Sequence, residues 1–424
     1  MNSSEAQSAA NLPKMVLHVL NSPTGGAALS TLGLIAEMAR RGIRSCAVCD
    51  TTGYEADQQV VADAVEGRAV FTKLYWTNRK IRSALWKRPI HEVRQLLQTG
   101  FQRGSTKQVI QLARKCGADL IHTNTIVTSE GGLAARRLSM PHVWHLREMV
   151  GPGQPIRLPF EGARFGPFLE SHCSKLIANS QASAALVRDF VPPGLMEVVP
   201  NGIDLARFTP RRAPNRSGRV VVAMVANLTA RWKKHALFIE AAARVDRSLP
   251  IEWRLYGHDP SRGGTIPGDP YIDSLHAQIA RAGLADRFTW PGFAADPAEI
   301  MSQIDLLVHS ADHESFGRAV VEGMAAGLAV VGVRGGGVGE IVQHGETGYL
   351  AEVDNPQDLA AGIEQLVGNP QLRATMGLAG RQRAESTYSL EACATGVLRV
   401  YEMAMARPLG NSLSSQPPTA TAAH

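Results

Sequence analysis

Residues 305–342, DLLVHSADHESFGRAVVEGMAAGLAVVGVRGGGVGEIV, decide the fold. An apolar run, DLLVHS at 305–310, gives way to a polar loop, then to RAVVEGMAA with helical spacing, which stops at Gly327 before the second run, LAVVGV at 328–333. Strands open to water on one face alternate polar and apolar residues; these do not, so both faces are covered. The unit is β-α-β, and its strands are parallel.

The pattern extends upstream. RVVVAMVANL (219–228), IEWRLYG (251–257) and RFTWPG (287–292) read as further strands of the same set. Another set precedes them: MVLHVLN (15–21), RSCAVCD (44–50), DLIHTN (119–124), HVWHL (142–146), KLIANS (175–180) and MEVVP (196–200). STLGLIAEMARRG (30–42) reads as a helix closed by basic residues and Gly42. Between the sets, PNGIDLARFTPRRAPNRSG (200–218) concentrates Pro, Gly, Asn and Arg, as linkers do. The expected organisation is a first α/β domain over 15–200, a hinge over 201–218 and a second α/β domain over 219–388. A C-terminal helix over 389–406 is expected to return to the first domain, with a disordered tail over 407–424. Two doubly wound sheets place a ligand cleft at the carboxyl ends of their strands.

The 424 residues are 44% hydrophobic and 19% charged, which excludes a small disulfide scaffold and bulk disorder. Five scattered cysteines suit a reducing cytosol. Cys46 and Cys49, on one strand, fall on opposite faces rather than forming a redox pair. No run reaches the ~20 apolar residues of a membrane span, and no secretory signal leads the chain, so a cytoplasmic location is expected. Residues 1–14 read as a loose extension.

Four loops carry chemistry. In VLNSPTGGAALSTLGL a strand ends, Gly25 and Gly26 turn, and a helix begins, offering free amides to an anion. In HESFGRAVVEG, Glu314 precedes a helix and Glu322 lies just inside it, so the amides near Gly317, Arg318 and Ala319 sit between two carboxylates. Two carboxylates around a phosphate-binding turn suit a nucleotide sugar, since each accepts from a hydroxyl while the helix end holds the diphosphate. Gly335–Gly337 permit close backbone contact with a polar ligand, and Arg231, Lys233 and Lys234 cluster in a loop after a strand.

Together these segments resemble glycosyltransferase family 4, over about residues 15–405 and most specifically over 313–363. VVPNGIDLARFTP (198–210) and ANSQAS (178–183) support it. The resemblance implies the GT-B fold, two facing Rossmann-like doubly wound parallel-sheet domains with an interdomain cleft, and a retaining transfer from a nucleoside-diphosphate sugar. It implies contact of Glu314 with the transferred sugar and of Glu322 with the ribose. Phe316, Gly317 and Arg318 would line sugar and phosphate by backbone, with Gly25 and Gly26 approaching the diphosphate from the other domain. Lys233 takes the family's lysine position, while Asn227 stands where an arginine is usual and Arg231 is expected to substitute. His145 matches the active-site histidine, as base or positioning group, and His122 is a second candidate. No cofactor or metal is implied, and the chain contains no D-x-D.

The acceptor is expected at the first domain. Residues 73–115 hold eleven Lys/Arg against Glu92 alone, a formal +10 within a whole-chain charge of +6, so the remainder carries −4. Lys73, Trp76, Arg79, Lys80, Arg82, Trp86, Lys87 and Arg88 combine basic and aromatic character, as surfaces lying on anionic membranes do. The expectation is a peripheral enzyme at the inner membrane face, acting on a lipid-linked or envelope glycan, with no nucleic-acid partner. Alternatives are a soluble transferase with a small-molecule or glucan acceptor and a non-catalytic sugar-nucleotide-binding protein. Glycogen-synthase-like enzymes carry a lysine where Thr24 stands, and sugar-nucleotide 2-epimerases share the architecture.

Overall fold

A computed structural model describes residues 12–51, 54–75, 88–151, 154, 156, 165–210, 218–228, 230–257, 269–292 and 296–409, with the backbone alone for 88–101. The first sheet contains β1 (Met15–Leu20), β2 (Arg44–Cys49), β3 (Ala69–Phe71), β4 (Leu120–Thr123), β5 (His142–Leu146), β6 (Lys175–Ala178) and β7 (Met196–Val198), ordered β3-β2-β1-β4-β5-β6-β7. The second contains β8 (Val220–Val225), β9 (Ile251–Tyr256), β10 (Phe288–Gly292), β11 (Leu306–His309), β12 (Ala329–Val333) and β13 (Gly348–Ala351), ordered β10-β9-β8-β11-β12-β13. Every pairing is parallel. Strand order reverses at β1/β4 and at β8/β11, and a crevice opens at the carboxyl ends beside such points.

β3 and β13 are additions to the sequence reading. Both are edge strands of three and four residues, too short for a periodicity. Cys46 packs with Leu17 and Ile121, and Cys49 with Leu20 and Ile35, on opposite faces of the first sheet. One face of the second sheet is sealed by Phe238, Trp253 and Phe288, the other by Phe316, Val320, Met324 and Tyr388.

The helix Leu390–Met405 packs Val397, Val400 and Tyr401 against Val16, Leu34, Val143 and Ile177 of the first domain. It begins where the chain crosses its own hinge. Ile203 N donates to the Tyr388 carbonyl at 2.9 Å, and a Cβ on Gly202 would lie 2.7 Å from the Ser389 carbonyl oxygen. Only glycine lets the two backbones pass there.

Under that helix lies a row of buried histidines: His18 on β1, His122 on β4 and His145 on β5. His122 Nδ1 stands 2.7 Å from the Tyr401 hydroxyl and its Nε2 stands 3.2 Å from His145 Nδ1. Burial keeps the row neutral: His18 falls to about 3, through burial first and the Arg147 cation second, and His122 and His145 fall well below the ordinary value. Elsewhere burial also lowers His142 to about 3.

The unfolded chain therefore takes up protons below about pH 6.5 that the folded chain refuses. This contribution is complete above pH 6.5 and is lost as pH falls toward the folded values, at roughly 1.4 kcal/mol per pH unit for each such histidine. Thermal melts should show a falling Tm between pH 7.5 and 5. A Tm unchanged across that interval would contradict the neutral row.

Candidate active site

β11 ends at His309, and the loop to the helix Arg318–Ala325 carries Glu314. Lys233 Nζ donates to Glu314 Oε2, and His309 Nε2 lies 3.4 Å from the same oxygen. Burial alone would raise the Glu314 carboxyl, but Lys233 and His309 outweigh it and hold it at about 2. Glu314 is thus an anion whose position is set by a cation arriving from the loop after β8.

The loop is shaped by the glycine turn that follows β12. A Cβ on Gly335 would lie 2.8 Å from the Asp312 carbonyl oxygen, and one on Gly336 would strike the Glu314 carbonyl. Gly336 also has φ +51, and the Gly337 amide donates to the Glu314 carbonyl at 2.7 Å. The close approach that three glycines permit is made here to the protein's own backbone.

Gly317, at φ +98, opens the helix, with Phe316 buried behind it against Tyr388. Arg318 Nε lies 2.7 Å from Glu322 Oε1, and both side chains are largely buried. Burial raises the Glu322 carboxyl while Arg318 draws it back. Lys233 closes a 3-10 turn, Arg231–Lys233, whose three residues per turn send their side chains in different directions. Arg231 lies 3.4 Å from Asp269 and over the Tyr271 ring, away from the Lys233–Glu314 pair. Lys234 binds Asp312 at 2.7 Å and Asp354 at 2.6 Å. The clustered cations therefore divide among three tasks.

The first domain meets this surface at the end of β1. Gly25, at φ +88, starts the helix Gly25–Arg40, and a Cβ on Gly26 would stand 3.7 Å from Arg318 Cδ. Arg318 Nη1 donates to Ser30 at 3.1 Å, and Ser315 donates to the Arg147 carbonyl at 2.6 Å. Glu340 accepts from the Gln181 and Ala182 amides at 2.9 and 2.6 Å. Glu314, Phe316, Gly317, Arg318, Glu322 and Lys233 are thus assembled around one helix start, with Gly25 and Gly26 opposite.

His145 sits inside β5, fully buried against His122 on the face that the C-terminal helix covers. The residue beyond the strand end is Arg147, which sequence reasoning passed over although HLRE displayed it. Trp76, Arg79, Lys80, Arg82, Trp86 and Lys87 lie outside the described residues, as does the side chain of Arg88 at the start of the helix Arg88–Cys116. Lys73 is exposed and stands 3.7 Å from Asp50. Among the described residues no three His, Cys, Asp or Glu side chains are grouped as metal ligands, and no helix is long and apolar enough to cross a membrane.

Residues 24–207 match the family described as Glycosyltransferase Family 4, and residues 207–383 match Glycosyl transferases group 1. The chain belongs to glycosyltransferase family 4. Its two parallel-sheet domains are those of the GT-B fold. A D-inositol 3-phosphate glycosyltransferase of Segniliparus rotundus is 28% identical over 69% of this chain and 62% of its own length. An N-acetyl-alpha-D-glucosaminyl L-malate synthase of Bacillus anthracis is 32% identical over 30% of this chain and 33% of its own. The chain spans less than two thirds of the length of such curated relatives. The structure of Anabaena HepE in complex with UDP-glucose superposes with a TM-score of 0.69 at 24% identity, covering 91% of this chain and 98% of that one.

The glycine turn gives a paired test. Gly336→Ala adds both a left-handed φ and a backbone collision, and should cost about 2–3 kcal/mol of stability. Gly345→Ala, at φ +82 with open space around it, should cost only about 1 kcal/mol. Equal losses in denaturant titrations would mean that the turn does not support the Glu314 loop.

Proposed function

We propose that this protein is a retaining glycosyltransferase that takes a sugar from a nucleoside-diphosphate sugar. One observation carries the reading: a Glu314 anion, 14% exposed and held by Lys233, and a buried Glu322 flank the helix start at Gly317 and face the Gly25–Gly26 turn across the cleft. Glu314 meets the transferred sugar and Glu322 the ribose. The amides at Gly317 and Arg318, with those at Gly25 and Gly26, take the diphosphate, as free helix-end amides do. As the bond to the sugar breaks, negative charge grows on the leaving diphosphate. Lys233, Arg318 and those amides are fixed before the reaction to receive it, and the reaction calls for no metal. His145, enclosed within its row, has a positioning role, and the departing phosphate oxygen takes the acceptor proton.

For the acceptor we propose a lipid-linked or envelope glycan presented at an anionic membrane face, supported by the +10 charge of residues 73–115. A second reading, a small soluble acceptor, is favoured by the names of the two relatives, which specify D-inositol 3-phosphate and L-malate.

Screening UDP-, GDP- and ADP-sugars by thermal shift should reveal one that raises Tm, and Glu322→Ala should weaken its binding at least tenfold. No stabilisation by any of them would remove the donor reading. Flotation with vesicles containing anionic lipid should carry the protein upward at low salt, whereas neutral vesicles should leave it behind. Failure to bind either kind would leave the small-acceptor reading in place. Turnover unaffected by EDTA is expected; loss of turnover restored by a divalent cation would refute the metal-free mechanism.

A further inference from the structure

One buried charge has no part in the donor reading. Arg147 is only 6% exposed, its Nη1 donates to Asn201 Oδ1, and its Nε has no hydrogen-bond partner. The adjacent Glu148 attracts it, but its oxygens are held by other donors. Glu148 accepts instead from the Thr125 hydroxyl, from the Ile126 amide at 3.2 Å and from the Arg147 backbone amide at 3.1 Å. The guanidinium is lowered to about 10, chiefly by burial, with Arg318 acting in the same direction and Glu148 opposing it.

The repulsion crosses the domain seam. Arg147 extends from the end of β5, and Arg318 from the start of the facing helix, where its Nη1 reaches Ser30. The Ser315–Arg147 hydrogen bond sets the two loops in register. Arg318 is paired on one side with Glu322 at 2.7 Å, and Glu148 attracts Arg147, but each carboxylate serves one guanidinium, so an anion entering between the two would relieve their repulsion. The neighbouring cations are committed elsewhere: Lys233 to Glu314, Lys234 to Asp312 and Asp354, and Arg231 to Asp269.

We propose that Arg147 and Arg318, one from each domain, form an oxyanion site that binds a phosphate group within the cleft. Guanidinium forks match phosphate oxygens in pairs, and Arg147 Nε is a donor already desolvated and waiting for an acceptor. The phosphate has two sources, the distal phosphate of the donor nucleotide or a phosphate carried by the acceptor. Only the first rests on the nucleotide-sugar reading.

The test is calorimetric titration of the full chain with inorganic phosphate, alone and with saturating UDP, GDP or ADP, whichever binds. The wild type should bind phosphate, and Arg147→Gln and Arg318→Gln should each weaken it at least tenfold. Should Arg147→Gln fail to fold, Arg318→Gln and Arg147→Lys carry the test, with the lysine variant keeping charge but losing the fork and binding several-fold more weakly. Displacement of phosphate by the nucleotide assigns the site to the donor; arginine-dependent phosphate binding alongside the nucleotide assigns it to the acceptor. A wild type that does not bind phosphate, or an Arg318→Gln affinity within twofold of wild type, overturns the proposal. If nucleotide still binds in a Glu322-dependent way in that case, the donor reading stands alone. Arginine-dependent phosphate binding without any nucleotide binding separates the two in the opposite direction.

Discussion

The site depends on one piece of backbone packing: the Gly335–Gly337 turn pressed against the loop from Asp312 to Phe316. A loop with a carboxylate at its centre would ordinarily turn that carboxylate toward water. Here the Gly337 amide fixes the Glu314 carbonyl, and carbonyls at Asp312, Glu314 and Phe316 leave no room for a Cβ on the turn. The side chain is thereby driven inward onto Lys233. A largely desolvated carboxylate is tolerable only with such a partner, so the glycines and the lysine, from different strand ends, form one device.

The same block of sequence also holds the domains together. Ser315 reaches the Arg147 carbonyl, Arg318 reaches Ser30, and Glu340 caps the amides of Gln181 and Ala182. All three second-domain residues sit within the segment that positions Glu314 and Glu322. Any rotation of one domain against the other must therefore act on the candidate donor pocket directly. The hinge adds a covalent limit, because the chain crosses it twice, at Gly202 and at Ser389, with the backbones in contact.

The two sheets were legible because buried parallel strands are continuous apolar runs, and both β1 and β11 are followed by a turn and a helix. The edges were not, because AVF and GYLA are too short and too weakly apolar to announce themselves. Glu314, Glu322 and Lys233 were legible for a different reason. Each stands at a fixed offset from a strand end, and offsets survive folding. Arg231 shows where that fails, since a 3-10 turn separates residues that sequence places together. His145 is enclosed in a row that the C-terminal helix, contributed from the far end of the chain, covers through Tyr401, and Arg147, just beyond the strand end, is buried as well. Local sequence carries no trace of that cover.

The basic segment gains a location from its roots. Asp50, just past β2, accepts from the Leu74 amide at 2.6 Å and lies 3.7 Å from Lys73. Glu130, buried at the start of the helix after β4, accepts from the Tyr75 amide at 2.9 Å and from Ser105 at 3.2 Å, so it ties both the departing and the returning chain. Both carboxylates belong to the carboxyl edge of the first sheet, the edge from which Gly25 also rises after β1. The two acids that tie residues 73–75 and Ser105 are themselves turned inward, so they neutralise little of the eight Lys/Arg that stand against Glu92 over residues 73–105. The basic charge of the chain is thus rooted on the same edge as the cleft, while the rest of the molecule is slightly acidic.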